Sequence, residues 1–470
     1  MKKGNLILCL FLLFVSGAVA QQKPKYVFLL IGDGMGLNHV NLTEVYLAAQ
    51  EDRNTVFPLA FSTFPFATFA TSFSLSNGVT DSAAGGTALA VGQKTKNGVI
   101  AMDSAATRSF KSIAYAAKQA GMKVGITTSV SIDHATPASF YANRANRNMY
   151  YEIGLDLIKS NFDFFGGSGF LRPEQTFTKE KAPSLFPQFE RGGYQLVYGL
   201  DEYKSAKKGE KIILMNKKGE DNVALKYAID QSETDMKLAD ITDAAIQSLS
   251  TDNENGFFLM VEGGKIDWAS HANDAATTVE EVLDFNEAVK HVITFYEKHP
   301  DETLIIVTAD HETGGVAVGT GGSRLATKVL AQQHVSHTEL SSRISALRED
   351  GKTPSWEEVK SVLSECLGLY TAIKLTEKDD KVLHDIYEKS FVNHQNQTAK
   401  SLYATDDKLA SEALKALSRA ATVSWASGGH SAAYIPVYAI GAGAELFTQK
   451  MDNTDIPKKI ATAAGLQLTN

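Results

Sequence analysis

The sequence predicts an α/β fold: a central, mostly parallel sheet flanked by helices on both faces, with a helical insertion. Three observations predict it. Short apolar runs rich in β-branched and aromatic residues are continuous instead of alternating, as strands buried on both faces are. Helical patterns lie between those runs, the alternation that builds α/β sheets. The runs also end on acids or histidines, which places these groups outside the carboxyl ends of strands, where such folds collect ligands.

In chain order, the strand candidates are 26–31, 124–128, 257–261, 304–307 and 435–440. Helical spacing marks 112–120, 235–249 and 277–296. Two stretches interrupt the alternation. The first, 169–222, is polar, contains Arg172-Pro173 and Lys207-Lys208-Gly209, and reads as elaborated surface. The second, 321–421, reads as a mostly helical insert, with a capping-box sequence at Ser355-Trp356-Glu357-Glu358 and dense charge from Glu377 to Lys381. It lies between Asp310-His311 and His430. If those groups meet in space, the insert is an excursion from the core and not a separate catalytic domain.

Residues 1–20 read as a signal peptide: Lys2 and Lys3 form the positive start, 6–15 the apolar middle, and Ala18-Val19-Ala20 the cleavage site. The apolar run is short for a membrane span, and Cys9 lies too early in it for a lipid-modified cysteine. The expectation is an exported protein, periplasmic or extracellular, with no stable membrane anchor and one catalytic domain over 21–470. The leader holds two lysines and no acid, so its removal takes the net charge from −8 to −10 and leaves Cys366 as the one cysteine. Stability must then come from a large core and not from internal disulfides. The acidic balance argues against nucleic acid or an anionic membrane as partner. It also means that a phosphate ester would need local positive charge from metals or arginine.

The chemistry-bearing residues follow the same order. Asp33 sits in Ile31-Gly32-Asp33-Gly34-Met35-Gly36, where glycines let the backbone turn and bring a carboxylate close to an ion. Ser82, in Thr80-Asp81-Ser82-Ala83-Ala84-Gly85-Gly86, begins a small-residue helix whose N–H groups favour negative charge. Serine ionises too weakly on its own near neutrality, so a bound metal is a suitable activator. His134-Ala135-Thr136-Pro137 is followed by Arg144 and Arg147, and a guanidinium fork suits two phosphate oxygens. Glu262, Asp267 and His271 lie close together, with Asp267 and His271 on one face of a helical turn. Two oxygens and an imidazole suit zinc, or a mixture of zinc and magnesium. Asp310-His311 ends another strand, and His430 follows Gly428-Gly429. Singly, each has a bland reading as a surface turn, a helix cap or a salt bridge. Together they are what a multi-metal hydrolase with a serine nucleophile requires. His291, His299, His384 and His394 lack such a context and read as surface residues.

In this order the segments resemble alkaline phosphatase, over 27–150 and 260–311 with His430 completing the set; 169–222 and 321–421 match poorly. The resemblance implies that Ser82 is phosphorylated and the phosphoserine then hydrolysed. It implies that Asp267, His271 and His430 hold one zinc ion and that Asp33, Asp310 and His311 hold a second. Asp33, Thr136 and Glu262 would hold magnesium, with Asp33 bridging. Arg147, in Asn146-Arg147-Asn148-Met149-Tyr150, is similar to the family's phosphate-clamping arginine, and Arg144 is the weaker candidate. Phosphate monoesters as substrates and a homodimer are also implied. Two positions depart from the enterobacterial form: His134 stands where that form has an aspartate near magnesium, and Trp268 where it has a lysine near phosphate. Dependence on added magnesium and looser binding of phosphate are the expectations. Rivals are a phosphodiesterase, a sulfatase or a phosphoglycerate mutase of the same superfamily, or a phosphate- or metal-binding protein without turnover. Ser82-Ala83-Ala84-Gly85-Gly86 lacks the proline and arginine of the sulfatase context. A nucleophile, a full ligand set and an arginine argue against a scaffold that only binds.

Overall fold

A computed structural model describes residues 23–348, 353–395 and 397–469; the expected leader at 1–20 lies outside the described residues. In chain order the strands are β1 (Tyr26–Gly32), β2 (Phe66–Thr71), β3 (Lys123–Thr128), β4 (Phe164–Gly166), β5 (Gln195–Tyr198), β6 (Ile212–Met215), β7 (Phe257–Gly263) and β8 (Thr303–Thr308). They continue as β9 (Glu312–Thr313), β10 (Ala317–Val318), β11 (Thr398–Lys400), β12 (Thr405–Asp407), β13 (Val423–Ser424), β14 (His430–Ser431), β15 (Ile435–Gly441) and β16 (Met451–Asp452). Ten of them form one sheet in the order β16-β2-β15-β8-β1-β7-β3-β4-β6-β5. Neighbours run parallel except at β15, which is antiparallel to both β8 and β2.

The central strands are apolar throughout because helices cover both faces. Val27 to Ile31, Phe257 to Val261 and Leu304 to Val307 are fully buried. Register then decides where the chemistry falls. Ile31 of β1 lies opposite Glu262 of β7 and Thr308 of β8, and Thr128 of β3 also lies opposite Glu262. Four strands therefore end level. The reversal of β15 brings a fifth segment to the same end, since Val437 pairs with Thr308 near the start of β15. Just before it, β14 pairs with β9, setting His430 opposite Thr313.

The polar stretch 169–222 supplies more than surface. Its two short strands β5 and β6 extend the sheet, and Ile212 to Met215 are buried. Four-residue strands are too short for a period to be read from sequence.

Within 321–421 lie the helices His337–Ala346, Trp356–Leu367, Glu377–Tyr387 and Lys408–Ala420, with the hairpin β11–β12. Ser355 caps the second of these, accepting from Glu358 N–H while Glu358 Oε2 accepts from Ser355 N–H at 2.7 Å. Their apolar faces build a second core around Leu340, Ile344, Leu363 and Leu409, which takes in Leu42 and Val279 from the body of the domain. The insert thus shares its core with the helices Leu37–Gln50 and Ala275–Tyr296. Cys366 is free and buried there. Among the described residues no helix is long and apolar enough to cross a membrane.

Candidate metal centre and active site

The level strand ends deliver acids and imidazoles into one buried cluster. Asp33 follows β1, and Gly34 turns with φ +74°, where a Cβ would meet the Asp267 backbone at 3.0 Å. That turn lets Gly34 N–H donate to Asp310 Oδ1 at 3.2 Å. His311 Nε2 lies 3.3 Å from both Asp33 Oδ1 and Asp310 Oδ2. The helix Lys265–His271 carries Asp267 and His271 on one face, with His271 Nε2 at 3.2 Å from Asp267 Oδ1. His430 Nε2 arrives 3.0 Å from His271 Nε2 and 3.5 Å from Asp267 Oδ1. Glu262, within β7, accepts from the Thr128 hydroxyl, and Asp267 accepts from the Thr313 hydroxyl. Three overlapping groups have ligand atoms within 4.8 Å of one another: Asp33, Asp310 and His311; Asp267, His311 and His430; and Asp33, Glu262 and His134.

The donor chemistry fits divalent cations. His271 Nδ1 donates to the Gly428 carbonyl at 2.7 Å, and His430 Nδ1 donates to the Thr80 carbonyl at 2.8 Å. Each ring then turns an Nε2 lone pair inward, and two lone pairs 3.0 Å apart require a proton or a cation between or beside them. Asp33 Oδ2, Glu262 Oε1 and Asp267 Oδ2 are buried without a hydrogen-bond partner. Burial of such atoms is costly unless they are paired or coordinate a metal.

Electrostatics point the same way. Burial, then Asp310, Asp267 and Glu262, push the Asp33 carboxyl well above its ordinary range. Burial raises Glu262 to about 8, against the opposing Thr128 hydrogen bond, and raises Asp310 to about 7 with help from Asp267. Burial, then His430, hold His311 well below the usual imidazole range. Burial works to raise Asp267 too, but His271 and the other imidazoles outweigh it and pull that carboxyl down. Protein groups alone leave this many acids competing for protons, the condition that a divalent cation relieves.

Ser82 is fully buried as the first residue of the helix Ser82–Val91. Asp81 is the cap, its Oδ1 accepting from Ala84 N–H at 3.0 Å, so the serine hydroxyl is not used for capping. Ser82 Oγ lies 3.3 Å from His311 Nε2. Asp81 Oδ2 accepts from Gly98 N–H at 2.9 Å and from Arg147 Nη1 at 3.2 Å, tying the serine's helix to the arginine. Arg147 Nη2 lies 3.5 Å from His134 Nε2 and 3.4 Å from Tyr403 Oη. Arg144 faces elsewhere, bonded to Asp156 Oδ1 at 2.6 Å and the Glu152 carbonyl at 2.8 Å. Thr136 Oγ1 lies 3.5 Å from Asp310 Oδ2. Burial, then the Arg147 charge, lower His134 to about 3, so its imidazole is neutral. Trp268 stands 5.9 Å from that ring.

Sequence reasoning misses Thr128, Thr313 and Tyr403. Thr313 follows Asp310-His311 closely enough to have been found as a hydrogen-bonding neighbour. Tyr403 is one of three tyrosines in the insert, with Tyr370 and Tyr387, and nothing in the sequence around it sets it apart. Of the histidines read as surface residues, His394 is exposed, whereas His291, His299 and His384 are half-buried, His299 against the rings of Tyr26 and Phe295 and His384 against those of Trp356 and Tyr387.

Carboxylates and imidazoles gathered beside a buried helix-terminal serine are the equipment of a metal-dependent hydrolase. The alkaline phosphatase family model matches residues 24–162 and 171–466, and the chain belongs to that family, whose members are metal-dependent phosphoric monoester hydrolases. Alkaline phosphatase 3 of Bacillus subtilis is 32% identical over 450 residues, covering 94% of this chain and 89% of its own length. Among solved structures, the cold-active alkaline phosphatase of Shewanella sp. matches with a TM-score of 0.77 and 29% identity, over 93% of this chain and 99% of that one. A histidine-to-glutamate variant of the TAB5 alkaline phosphatase, described with magnesium bound in its M3 site, matches with a TM-score of 0.64 and 26% identity, over 95% of this chain and 99% of that one.

Proposed function

We propose that this chain hydrolyses phosphate monoesters through a phosphoserine at Ser82, with two zinc ions and one magnesium ion as its cofactors. The observation that carries the reading is the buried Ser82 hydroxyl, free of the capping role and 3.3 Å from His311 Nε2 within the carboxylate–imidazole cluster. Asp267, His271 and His430 would hold one zinc; Asp33, Asp310 and His311 the second; Asp33, Thr136 and Glu262 the magnesium. When bound, such cations favour an ionised oxygen nucleophile and offset charge on phosphoryl oxygens.

The residues divide the work. Ser82 releases its hydroxyl proton to solvent as Oγ attacks phosphorus; an Oγ–P bond forms, the bond from phosphorus to the leaving oxygen breaks, and that oxygen takes up a proton from solvent. Water then gives up a proton as it attacks the phosphoserine, the Oγ–P bond breaks, Oγ regains a proton, and inorganic phosphate leaves. The helix N–H groups behind Ser82 favour negative charge in both steps. Arg147, held by Asp81, offers its fork to two equatorial oxygens. His134 contributes no negative charge beside Asp33 and Glu262, which supports a weak magnesium site.

The test is hydrolysis of p-nitrophenyl phosphate at alkaline pH, before and after chelation and with zinc and magnesium restored, together with acid trapping of labelled phosphoenzyme. Activity should vanish on chelation and return with both metals. Ser82→Ala should abolish both turnover and the trapped label while keeping its metals and its melting temperature. Label persisting in Ser82→Ala would place the nucleophile elsewhere.

A further inference from the structure

The tip of hairpin β11–β12 reaches back from the insert to the arginine of the site. Tyr403 lies in this tip, which is closed by Ser401 N–H donating to the Ala404 carbonyl at 2.9 Å. Its ring stacks on Trp268 with centroids 4.5 Å apart and planes 16° from parallel. It also faces the His134 and His271 rings at 5.8 and 5.6 Å. Its hydroxyl accepts from Arg147 Nη2 at 3.4 Å.

Beyond the tip, the hairpin is pinned at two adjacent residues. Asp406 Oδ2 accepts from His337 Nδ1 at 2.8 Å, and His337 Nε2 lies 2.9 Å from the Tyr227 hydroxyl. Asp407 pairs with Arg348 at 2.5 Å, and its N–H donates to Ser341 Oγ at 2.6 Å. Tyr403 therefore stands on a braced hairpin and not on a loose loop.

We propose that Tyr403 is a positioning residue for Arg147, through which the insert aligns the guanidinium fork on the phosphoryl group. The proposal rests on the phosphatase reading above. Arg147 has two terminal nitrogens, and each is held from a different part of the chain: Nη1 by Asp81 beside the nucleophile, Nη2 by Tyr403. A fork fixed at both ends can present its remaining N–H groups to two oxygens without first losing rotamer freedom.

The experiment uses the metal-replete enzyme, with inorganic phosphate as the inhibitor and p-nitrophenyl phosphate as the substrate. Tyr403→Phe keeps the stack on Trp268 and removes only the acceptor. It should raise the inhibition constant for phosphate about three- to tenfold, the usual loss for one hydrogen bond, with the melting temperature unchanged. Tyr403→Ala should raise it further. In an Arg147→Ala background, Tyr403→Phe should add nothing, because a residue acting through Arg147 has no role left. An unchanged phosphate constant in Tyr403→Phe, or an effect that simply adds to that of Arg147→Ala, would overturn the assignment. A wild-type enzyme that turns over no monoester would refute the phosphatase reading itself, an outcome distinct from normal turnover with an indifferent Tyr403.

Discussion

His134 is the residue whose chemistry departs furthest from its surroundings. It lies in one group with Asp33 and Glu262, yet burial and the Arg147 charge keep its ring neutral. Magnesium prefers oxygen ligands and net negative charge around it. His134→Asp adds both, so a magnesium titration of magnesium-depleted, zinc-loaded enzyme should reach half-activation at a concentration lower by about an order of magnitude. The same change puts a carboxylate near Arg147 Nη2, now 3.5 Å from the imidazole, and draws on the hydrogen-bonding capacity that phosphate would use. The phosphate inhibition constant should therefore rise as magnesium binding tightens. Unchanged half-activation would overturn the proposal that the imidazole weakens magnesium binding.

At the scale of elements, the placing of Ser82 depends on how closely its helix approaches β8. A Cβ on Gly85 would lie 2.8 Å from the Asp310 carbonyl oxygen, a backbone atom that cannot swing aside. Gly85→Ala must push the helix from the ligand strand, at about 1–3 kcal/mol for overpacking. Both a lower melting temperature and a lower kcat are expected, and calorimetry beside steady-state kinetics would read them. If neither moves, the helix has slack that the contact denies. The central strands behind this contact were legible in sequence because burial on both faces leaves an uninterrupted apolar run; Asp33, Glu262, Asp267, His271, Asp310 and His311 were legible because they end or follow such a run, and His430 because it stands in a glycine turn just before one. Strand direction was not legible: Ile435–Gly441 reads the same whether parallel or reversed, yet its reversal is what brings His430 to Asp267. In β2, Ala and Thr between phenylalanines blur the period, and β4 has only three residues. Tyr403 is beyond sequence reading, since its position follows from how the insert's core docks on Leu42 and Val279.

For the whole molecule, the buried acids make stability depend on cations and pH together. In the metal-stripped chain Glu262 titrates near 8 and Asp310 near 7, both raised chiefly by burial. Unfolded, the same groups release their protons near pH 4. Between about pH 4 and those folded values the folded state holds more protons than the unfolded one, so stability falls as pH rises. Cations reverse the sign. They displace the protons, bind more tightly as pH rises, and stabilise only the folded chain. Asp133, raised by burial to about 7 and held by Leu171 N–H at 3.0 Å, adds the same downward slope to both forms and cancels in their difference. The melting temperature of metal-replete minus metal-stripped protein should therefore widen steadily from about pH 5.5 to about pH 8.5. Scanning calorimetry of both forms across that range is the measurement. A constant gap would mean that the acids of the cluster do not trade protons for cations, and that the buried charge is balanced within the protein itself.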